Sequence, residues 1–242
     1  MENSTYAGRT AAVILAGGQG TRLRSVVADR QKVVSLVDKR PFLTFLLQKV
    51  YDSGVDEIIL ACGHMAETVR DALKDFPGLK YSLECEPRGT GGALLQALQQ
   101  SDAERLLVMN GDSFLDITLE KFLRWFDCHA APAAMVLTKV GDVSRYGQVS
   151  QQGDWIQAFH EKGVSSGAGW INAGIYCFER KVLLNLPWAG KFSLERDLFP
   201  VLAARKQLAG FPYGGYFIDI GTPETWQQAQ QYFAAFDHHR NL

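Results

Sequence analysis

The sequence lacks paired cysteines, long apolar runs and an excess of charge of either sign. Its four cysteines are scattered and form no CxxC pair, which argues against a zinc site or a disulfide scaffold. No apolar run approaches the roughly 20 residues of a membrane helix, and the polar start MENSTYAGRT is unlike a signal peptide. The formal net charge of −1 gives no basic field for nucleic acid or anionic membranes. We therefore expect a cytoplasmic protein that binds neither, and its oligomeric state, a homo-oligomer included, stays open.

The first half of the 242-residue chain alternates apolar strands with amphipathic helices. Strands are predicted at residues 10–16, 56–62, 80–85, 105–110 and 133–140, and helices at 42–54, 66–76, 92–100 and near 118–127. This alternation is typical of βαβ units and predicts an α/β fold with a mainly parallel sheet flanked by helices.

The second half is less regular. A hairpin is predicted over 147–162 with its turn at 151–154, a strand at 171–179, and helices at 193–205 and 223–236. Because no linker or repeat interrupts the chain, we expect a single domain over 1–242, in which the second half adds a small lobe at the sheet edge.

The stretch AAVILAGGQGTRLRS, residues 11–25, runs from a predicted strand into a glycine-rich loop. A Rossmann fingerprint would need glycine where the chain has Leu23, and a P-loop would need glycine followed by lysine where it has Arg22 and Leu23. Both spacings fail, which disfavours a dinucleotide-dependent oxidoreductase. What is present is G-G-x-G-T-R-L, with Lys32 ten residues after the arginine.

That pattern resembles the signature of the sugar-1-phosphate nucleotidylyltransferases. Further stretches resemble motifs of this family in the family's order: EPRGTGGAL (86–94), NGDSF (110–114), FHEK (159–162), INAGIY (171–176) and YFIDIGTPE (216–224). The resemblance covers about residues 10–235 and implies a Rossmann-like nucleotidyltransferase sheet. Residues 1–140 would mostly bind the nucleotide and 141–242 the sugar phosphate.

The implied reaction joins a nucleoside triphosphate to a sugar 1-phosphate. An oxygen of the sugar phosphate attacks the α-phosphorus in line, pyrophosphate leaves, and a nucleotide sugar for cell-surface polysaccharide is formed. Two polyanions must meet, so positioning and charge neutralisation are the main requirements. The resemblance implies that Arg22 holds the β- and γ-phosphates and that Lys32 neutralises the α-phosphate. The alternative for both is a solvated surface charge.

Glycine-rich loops offer backbone amides to phosphates without obstruction by a Cβ atom. The nucleotide-binding residues that the resemblance implies are Leu15, Ala16, Gly17, Gly18, Gly20, Thr21, Arg22, Glu86, Gly91, Gly111 and Asp112. In PRGTGGA the glycines at 89, 91 and 92 would let a purine base approach closely. The alternative, compatible with the first, is a helix N-terminus capped by Thr90.

Asp112 and Asp219 each follow a predicted strand, and open α/β sheets bind ligands at the carboxyl ends of their strands. Two aspartates together with phosphate oxygens match the ligands that Mg²⁺ prefers, and the resemblance favours this interpretation. Turn residues are the alternative for each of them.

The resemblance further implies that Lys162 binds the phosphate of the sugar substrate. It also implies sugar contacts at Glu161, Asn172 and Gly174. The alternatives are a charged hairpin end at 161–162 and a strand bulge at Gly174.

The chain departs from the family pattern at Gln31-Lys32-Val33, where Pro-Lys-Pro is usual. Because proline fixes φ, its loss predicts a looser segment around Lys32. The short length and KFSLERDLFP (191–200) are most similar to the branch that uses GTP and D-glycero-α-D-manno-heptose 1-phosphate. Alternatives are dTTP, UTP or CTP as donor, other sugar 1-phosphates (mannose, glucose, N-acetylmuramic acid) as acceptor, or a catalytically silent nucleotide-sugar sensor.

Overall fold

The structure is a computed structural model that describes residues 9–18, 31–160, 166–188 and 190–240, with side chains described as far as residue 235. Its strands are β1 (Thr10–Leu15), β2 (Leu36–Val37), β3 (Arg40–Pro41), β4 (Glu57–Cys62), β5 (Leu79–Leu83), β6 (Arg105–Asn110), β7 (Ser113–Leu115), β8 (Ala133–Val140), β9 (Gln148–Gln152), β10 (Trp155–His160), β11 (Gly169–Glu179), β12 (Leu208–Tyr213) and β13 (Phe217–Asp219). Its α-helices are α1 (Phe42–Asp52), α2 (Ala66–Ala72), α3 (Gly89–Leu98), α4 (Leu119–Asp127), α5 (Arg180–Leu184), α6 (Phe199–Ala204) and α7 (Pro223–Arg240). A 3₁₀ turn (Lys32–Val34) and a π-helical turn (Leu194–Leu198) complete them.

Nine strands form one sheet in the order β5-β4-β1-β6-β11-β8-β12-β10-β9. The four strands of the first half, β5, β4, β1 and β6, are parallel to one another. Alternate residues of β1 point to opposite faces: Ala12 and Ile14 pack with α1, α4 and α7, whereas Ala11 and Val13 pack with α3 and α6. Burial on both faces explains why β1, β4 and β6 are mostly apolar, whereas the edge strand β5 is partly exposed and carries Lys80 and Ser82.

The second half of the sheet is mixed. β11 runs antiparallel to both β6 and β8, β12 is parallel to β8, and the β9–β10 hairpin closes the edge. The α/β class is therefore confirmed, with the parallel pairing concentrated in the first half, where strands and helices alternate.

Several short elements did not emerge from the sequence pattern. The strand β12 was missed because Gly210 and Pro212, residues that disfavour strands, interrupt its apolar run. The predicted helix over 193–205 is instead the π turn followed by α6, with Pro200 near the start of α6. In the part of the chain that the structure covers, no helix combines the length and the apolarity needed to cross a membrane.

The carboxyl ends of β1, β4 and β6 meet at one edge of the sheet, and each leads into glycine. Gly111 donates its N–H to the carbonyl of Leu15 at 3.0 Å, and a Cβ atom at position 111 would lie 2.8 Å from that oxygen. The turns after β1 and β6 therefore pack backbone against backbone. β11 begins at the same edge because it runs in the opposite direction.

Candidate active site

A cavity of about 1100 Å³ lies at this edge of the sheet. Five of the residues singled out from the sequence line it: Lys32, Asp112, Asn172, Gly174 and Asp219. Leu15, Ala16, Gly17, Gly18 and Gly111 lie at the ends of β1 and β6. Gly20, Thr21, Arg22, Glu161 and Lys162 lie outside the described residues.

The two predicted metal ligands come together through a small two-stranded sheet. In the pairing of β7 with β13, Asp219 lies opposite Ser113, and the N–H of Ile220 donates to the carbonyl of Asp112 at 2.9 Å. Two carboxylates more than a hundred positions apart in the sequence are thereby held on adjacent backbone segments.

The side chain of Asp219 is oriented by two donors. The backbone N–H of Gly221 donates to Oδ1 at 2.8 Å, and the hydroxyl of Tyr146 donates to Oδ2 at 2.7 Å. Burial raises the pKa of the Tyr146 hydroxyl, and the neighbouring Asp219 carboxylate raises it further. The hydroxyl therefore keeps its proton and acts as a hydrogen-bond donor to Asp219.

Lys32 forms an ion pair with Asp112 through Nζ and Oδ2. The lysine side chain is 16% exposed and that of Asp112 is 39% exposed, so the pair lies at the wall of the cavity. Coulomb attraction in such a partly desolvated place is stronger than in bulk water. The arrangement supplies one positive charge next to one of the two carboxylates.

The segment around Lys32 is not loose, in contrast to the expectation from the missing prolines. Gln31 is buried, with 2% exposure, and its side chain accepts from the N–H of Lys32 at 2.9 Å and donates to the carbonyl of His64 at 2.9 Å. Its own N–H donates to the hydroxyl of Thr68 at 3.1 Å. Hydrogen bonds thus provide the restraint that proline rings would have given.

A carboxylate that the sequence did not single out lies beside the glycine loop. A Cβ atom at Gly17 would be 2.8 Å from Oε2 of Glu84 and 3.3 Å from the N–H nitrogen of Gly63. The other oxygen of Glu84, Oε1, accepts from the N–H of Arg88 at 3.0 Å. Burial raises the pKa of Glu84. Glu86, the residue chosen from the sequence, is exposed.

Glu84 was missed partly because the strand predicted over 80–85 ran through it, whereas β5 ends at Leu83. It follows β5 directly, as Gly17 and Asp112 follow β1 and β6, so it belongs to the edge where parallel sheets bind ligands. The motif-based choice favoured position 86 instead.

The glycines in the first turn of α3 are explained by packing. A Cβ atom at Gly91 would lie 2.1 Å from the ring of Phe192, and the N–H of Gly91 donates to the carbonyl of Phe192 at 3.0 Å. Phe192 therefore covers the side of Gly91 on which a Cβ atom would lie, and the approach of a purine base to these glycines remains a prediction. Thr90 is not the N-cap, because it lies inside α3, whose N-cap is Arg88. Its hydroxyl accepts from the N–H of Leu194 at 2.9 Å and donates to Glu195 at 2.7 Å.

In the wall of the cavity, Gly174 forms a bulge in β11 with φ of 76°. The side chain of Asn172 holds this bulge by accepting from the N–H of Gly174 at 2.8 Å and donating to the hydroxyl of Tyr176 at 2.9 Å. Oδ1 of Asn110 is buried and has no hydrogen-bond partner among the residues described. The bulge thus lies in the cavity wall beside a buried polar atom that has no described partner.

A parallel half-sheet whose glycine-lined edge opens on a cavity with two carboxylates and a lysine defines a nucleotide-dependent transferase of the α/β class. Residues 11–235 match the family model described as "Nucleotidyl transferase". The chain belongs to this family.

Relatives of similar length support this assignment. The chain is 34% identical over 223 residues to a D-glycero-alpha-D-manno-heptose 1-phosphate guanylyltransferase of Aneurinibacillus thermoaerophilus, covering 91% of this chain and 96% of that one. It is 36% identical over 222 residues to the protein of the same name in Campylobacter jejuni, covering 89% and 96%. The crystal structure of HddC from Yersinia pseudotuberculosis is similar with a TM-score of 0.82 and 34% identity, covering 92% and 99%. HddC has also been solved in complex with GMP-PN.

Nucleotidyltransferases of this family generally use a divalent metal ion. The residues present fit such an ion, because Asp112 and Asp219 offer hard carboxylate oxygens on adjoining backbone segments at the cavity. In the described ranges no group of three His, Cys, Asp or Glu side chains could hold a metal ion by itself. A donor set of two carboxylates is typical of ions that take their remaining ligands from phosphates and water.

Proposed function

We propose that this nucleotidyltransferase transfers GMP from GTP to D-glycero-α-D-manno-heptose 1-phosphate, uses Mg²⁺, and releases pyrophosphate and a GDP-sugar. The observation that carries the proposal is the meeting of Asp112, Asp219 and Lys32 in one cavity at the carboxyl edge of the sheet. The choice of substrates is supported by the names of the two relatives that match over nearly their whole length.

In this proposal Asp112 and Asp219 hold Mg²⁺, which when bound neutralises charge on the phosphate oxygens. Lys32 lies beside Asp112. Its ammonium group can turn from the carboxylate to the α-phosphate oxygen, where negative charge accumulates during attack. The hydrogen bonds of Gln31 fix the backbone from which Lys32 extends, so little reorganisation is needed at that step.

The phosphate contacts of Arg22 and Lys162 remain predictions, since both residues lie outside the described ranges. Supporting the assignment of Lys162, β10 ends at His160 and His160 lines the cavity. The chain therefore reaches the cavity two positions before Lys162. We assign to Lys162 the phosphate of the sugar and to Glu161 its hydroxyls.

Glu84 supports guanine as the base. Guanine presents two adjacent N–H donors, at N1 and at the 2-amino group, and a carboxylate only accepts. Uracil and thymine present one N–H between two carbonyl oxygens, which a carboxylate would repel. Oε2 of Glu84 lies next to Gly17 of the nucleotide loop, a position from which it can accept from the guanine edge.

The function can be tested by Mg²⁺-dependent pyrophosphate release with GTP, dTTP, UTP, CTP and ATP, each combined with a panel of sugar 1-phosphates. We expect the highest kcat/KM for GTP with D-glycero-α-D-manno-heptose 1-phosphate. A clear preference for another nucleotide and sugar 1-phosphate would show that the proposed substrates are wrong, while the protein would still be a nucleotidyltransferase. Silence with every pair, while nucleotide sugar still raises the Tm, would favour the sensor alternative.

A further inference from the structure

The segment Phe192–Leu198, here named the strap, is hydrogen-bonded to the start of α3. The N–H of Phe192 donates to the carbonyl of Arg88 at 3.1 Å, and that of Leu194 donates to the hydroxyl of Thr90 at 2.9 Å. Phe192 covers Gly91 so closely that no side chain fits there. The strap therefore packs against the first turn of α3.

Glu195 projects from the strap into the cavity wall. Its Oε2 accepts from the hydroxyl of Thr90 at 2.7 Å and from that of Ser193 at 2.7 Å, and Glu195 lines the cavity. For Oε1 no hydrogen-bond partner is found among the described residues. One oxygen of the carboxylate is thus held in place by two hydroxyl groups, and the other has no partner among the described residues.

The strap turns as a π-helix from Leu194 to Leu198, a rare conformation that is frequent at functional sites. Asn172 and the bulge of β11 line the same cavity. The charge of Glu195 acts on the fully buried Tyr176, the hydrogen-bond partner of Asn172, and contributes to raising its pKa. Glu195 thus lines the same cavity as Asn172 and Gly174, the residues assigned to the sugar.

The carboxylate of Glu195 limits which ligand groups can bind beside it. It accepts hydrogen bonds and repels anions, so it cannot serve a phosphate group. Its natural ligands are hydroxyl groups, which an aldose phosphate carries in number. Its two anchoring hydroxyls reduce the freedom that the side chain would lose on binding.

We propose that Glu195 is a specificity-determining residue of the sugar site, whose Oε1 accepts a hydrogen bond from a hydroxyl group of the sugar 1-phosphate. This inference rests on the proposed function. The site then favours a neutral polyol on the side of the strap and disfavours sugars that carry a carboxylate or second phosphate there. Thr90 couples this contact to the nucleotide half, since its hydroxyl holds Glu195 from the start of α3.

The test compares the wild type with Glu195→Gln, which keeps the size of the side chain and an oxygen for Thr90 and Ser193. We expect the KM for the sugar 1-phosphate to rise about 10- to 100-fold, the range for loss of a hydrogen bond to a charged group, with the KM for GTP changed less than about twofold. Sugar 1-phosphate analogues that each lack one hydroxyl group identify the hydroxyl that donates to Glu195. The analogue without that hydroxyl should bind the wild type more weakly than the complete sugar does, but should bind Glu195→Gln as well as the complete sugar does.

Asp197→Asn is the matched control on the same strap. The carboxylate of Asp197 accepts from the N–H of Ser193 at 2.6 Å, and Asp197 does not line the cavity. We expect a lower Tm and an unchanged KM for the sugar 1-phosphate. If both variants raise this KM equally, Glu195 has only a structural role and the inference is wrong.

Calorimetric titration with the sugar 1-phosphate in the presence of GMP-PN makes the result independent of turnover. Weaker binding to Glu195→Gln than to the wild type supports the inference, and equal binding overturns it. If the wild type releases no pyrophosphate, the proposed function is wrong. The affinities of the wild type and Glu195→Gln for the sugar 1-phosphate can still be compared in that case. Absence of binding to the wild type overturns both.

Discussion

Lys32 and Asp112 are 80 positions apart in the sequence, and their side chains form an ion pair in the wall of the cavity. The pair joins the lysine of the nucleotide motif to one of the two carboxylates that can hold a metal ion. Because each charge neutralises the other before substrates arrive, neither has to be buried unpaired. On binding, the metal ion would become the new partner of Asp112, and the triphosphate would become the new partner of Lys32.

The two aspartates are expected to be required for turnover. Asp112→Ala and Asp219→Ala each remove one of the two carboxylates, and we expect kcat to fall about a hundredfold or more, as when one charge-stabilising group is removed. Steady-state pyrophosphate release measures the effect. Asp102→Ala, an exposed position before the start of β6, is the control and should retain wild-type rates. Near wild-type turnover in either active-site variant would contradict the metal assignment.

Gln31 is expected to contribute both to stability and to the placement of Lys32. Gln31→Ala removes the part-buried hydrogen bonds of this side chain to Lys32 and His64, so the free energy of unfolding should fall by about 1–3 kcal/mol, about 0.5–1.5 kcal/mol for each bond, and kcat should fall as well. Gln31→Pro is informative because φ at this position is −63°, a value that proline adopts. Proline nevertheless lacks the N–H that position 31 donates to Thr68 at 3.1 Å, a bond that Gln31→Ala keeps. We therefore expect Gln31→Pro to be less stable than Gln31→Ala.

Denaturant titration of the wild type and both Gln31 variants checks this ranking. If Gln31→Ala unfolded at the same denaturant concentration as the wild type, the part-buried hydrogen bonds of Gln31 would not restrain the segment.

The base preference should depend on Glu84. Glu84→Gln replaces one acceptor by an amide donor, so we expect kcat/KM for GTP to fall about 10- to 100-fold. The amide can pair with the donor and acceptor of uracil, so the ratio of GTP to UTP activity should narrow. Glu86→Gln is the matched control because Glu86 is exposed, and it should leave the ratio unchanged. An unchanged ratio in Glu84→Gln would remove the structural argument for guanine.

Glu84 should also make stability depend on pH in a predictable direction. Because burial raises its pKa, the folded protein binds more protons than the unfolded chain between the ordinary carboxyl pKa and the raised one. The free energy of unfolding contributed by this group therefore falls as the pH rises through that window. Glu84→Gln lacks this titration. The Tm of the variant minus the Tm of the wild type should therefore be larger at neutral pH than at a pH below the ordinary carboxyl pKa. A difference in Tm that does not change with pH would show that burial of Glu84 carries no such cost.

The sequence predicts the part of the fold that depends on local pattern. Strands such as 133–140 and helices such as 42–54 were placed within a few residues, because apolar periodicity and glycine stops are local signals. The antiparallel insertion of β11 between β6 and β8 was not predicted, since it depends on pairing between distant segments. The same holds for the covering of Gly91 by Phe192, a contact across a hundred positions.

Motif spacing identified Asp112, Asp219 and Lys32, and the structure brings these residues together. It did not identify Glu84 or Glu195, whose neighbours are defined only by the folded chain. The restraint on Lys32 was missed for a similar reason: the partners of Gln31, His64 and Thr68, belong to a distant turn and to α2. A sequence shows that two prolines are missing but not what replaces them.

Gly174 offers a test of the bulge in β11. Its φ of 76° favours glycine, and a Cβ atom there would lie 2.6 Å from Oγ of Ser113 and 3.0 Å from Cβ of Asn110. Gly153→Ala is the matched control, because φ is 57° but no atom lies within 4 Å of the added carbon. The control should show only the backbone cost, about 1–2 kcal/mol in the free energy of unfolding. Gly174→Ala should lose more than that, and, because Ser113 and Asn110 line the cavity, its kcat/KM should fall as well. Equal losses of stability and full activity in both variants would mean that the cavity wall adapts to the extra carbon, and that the bulge is not needed to position these side chains.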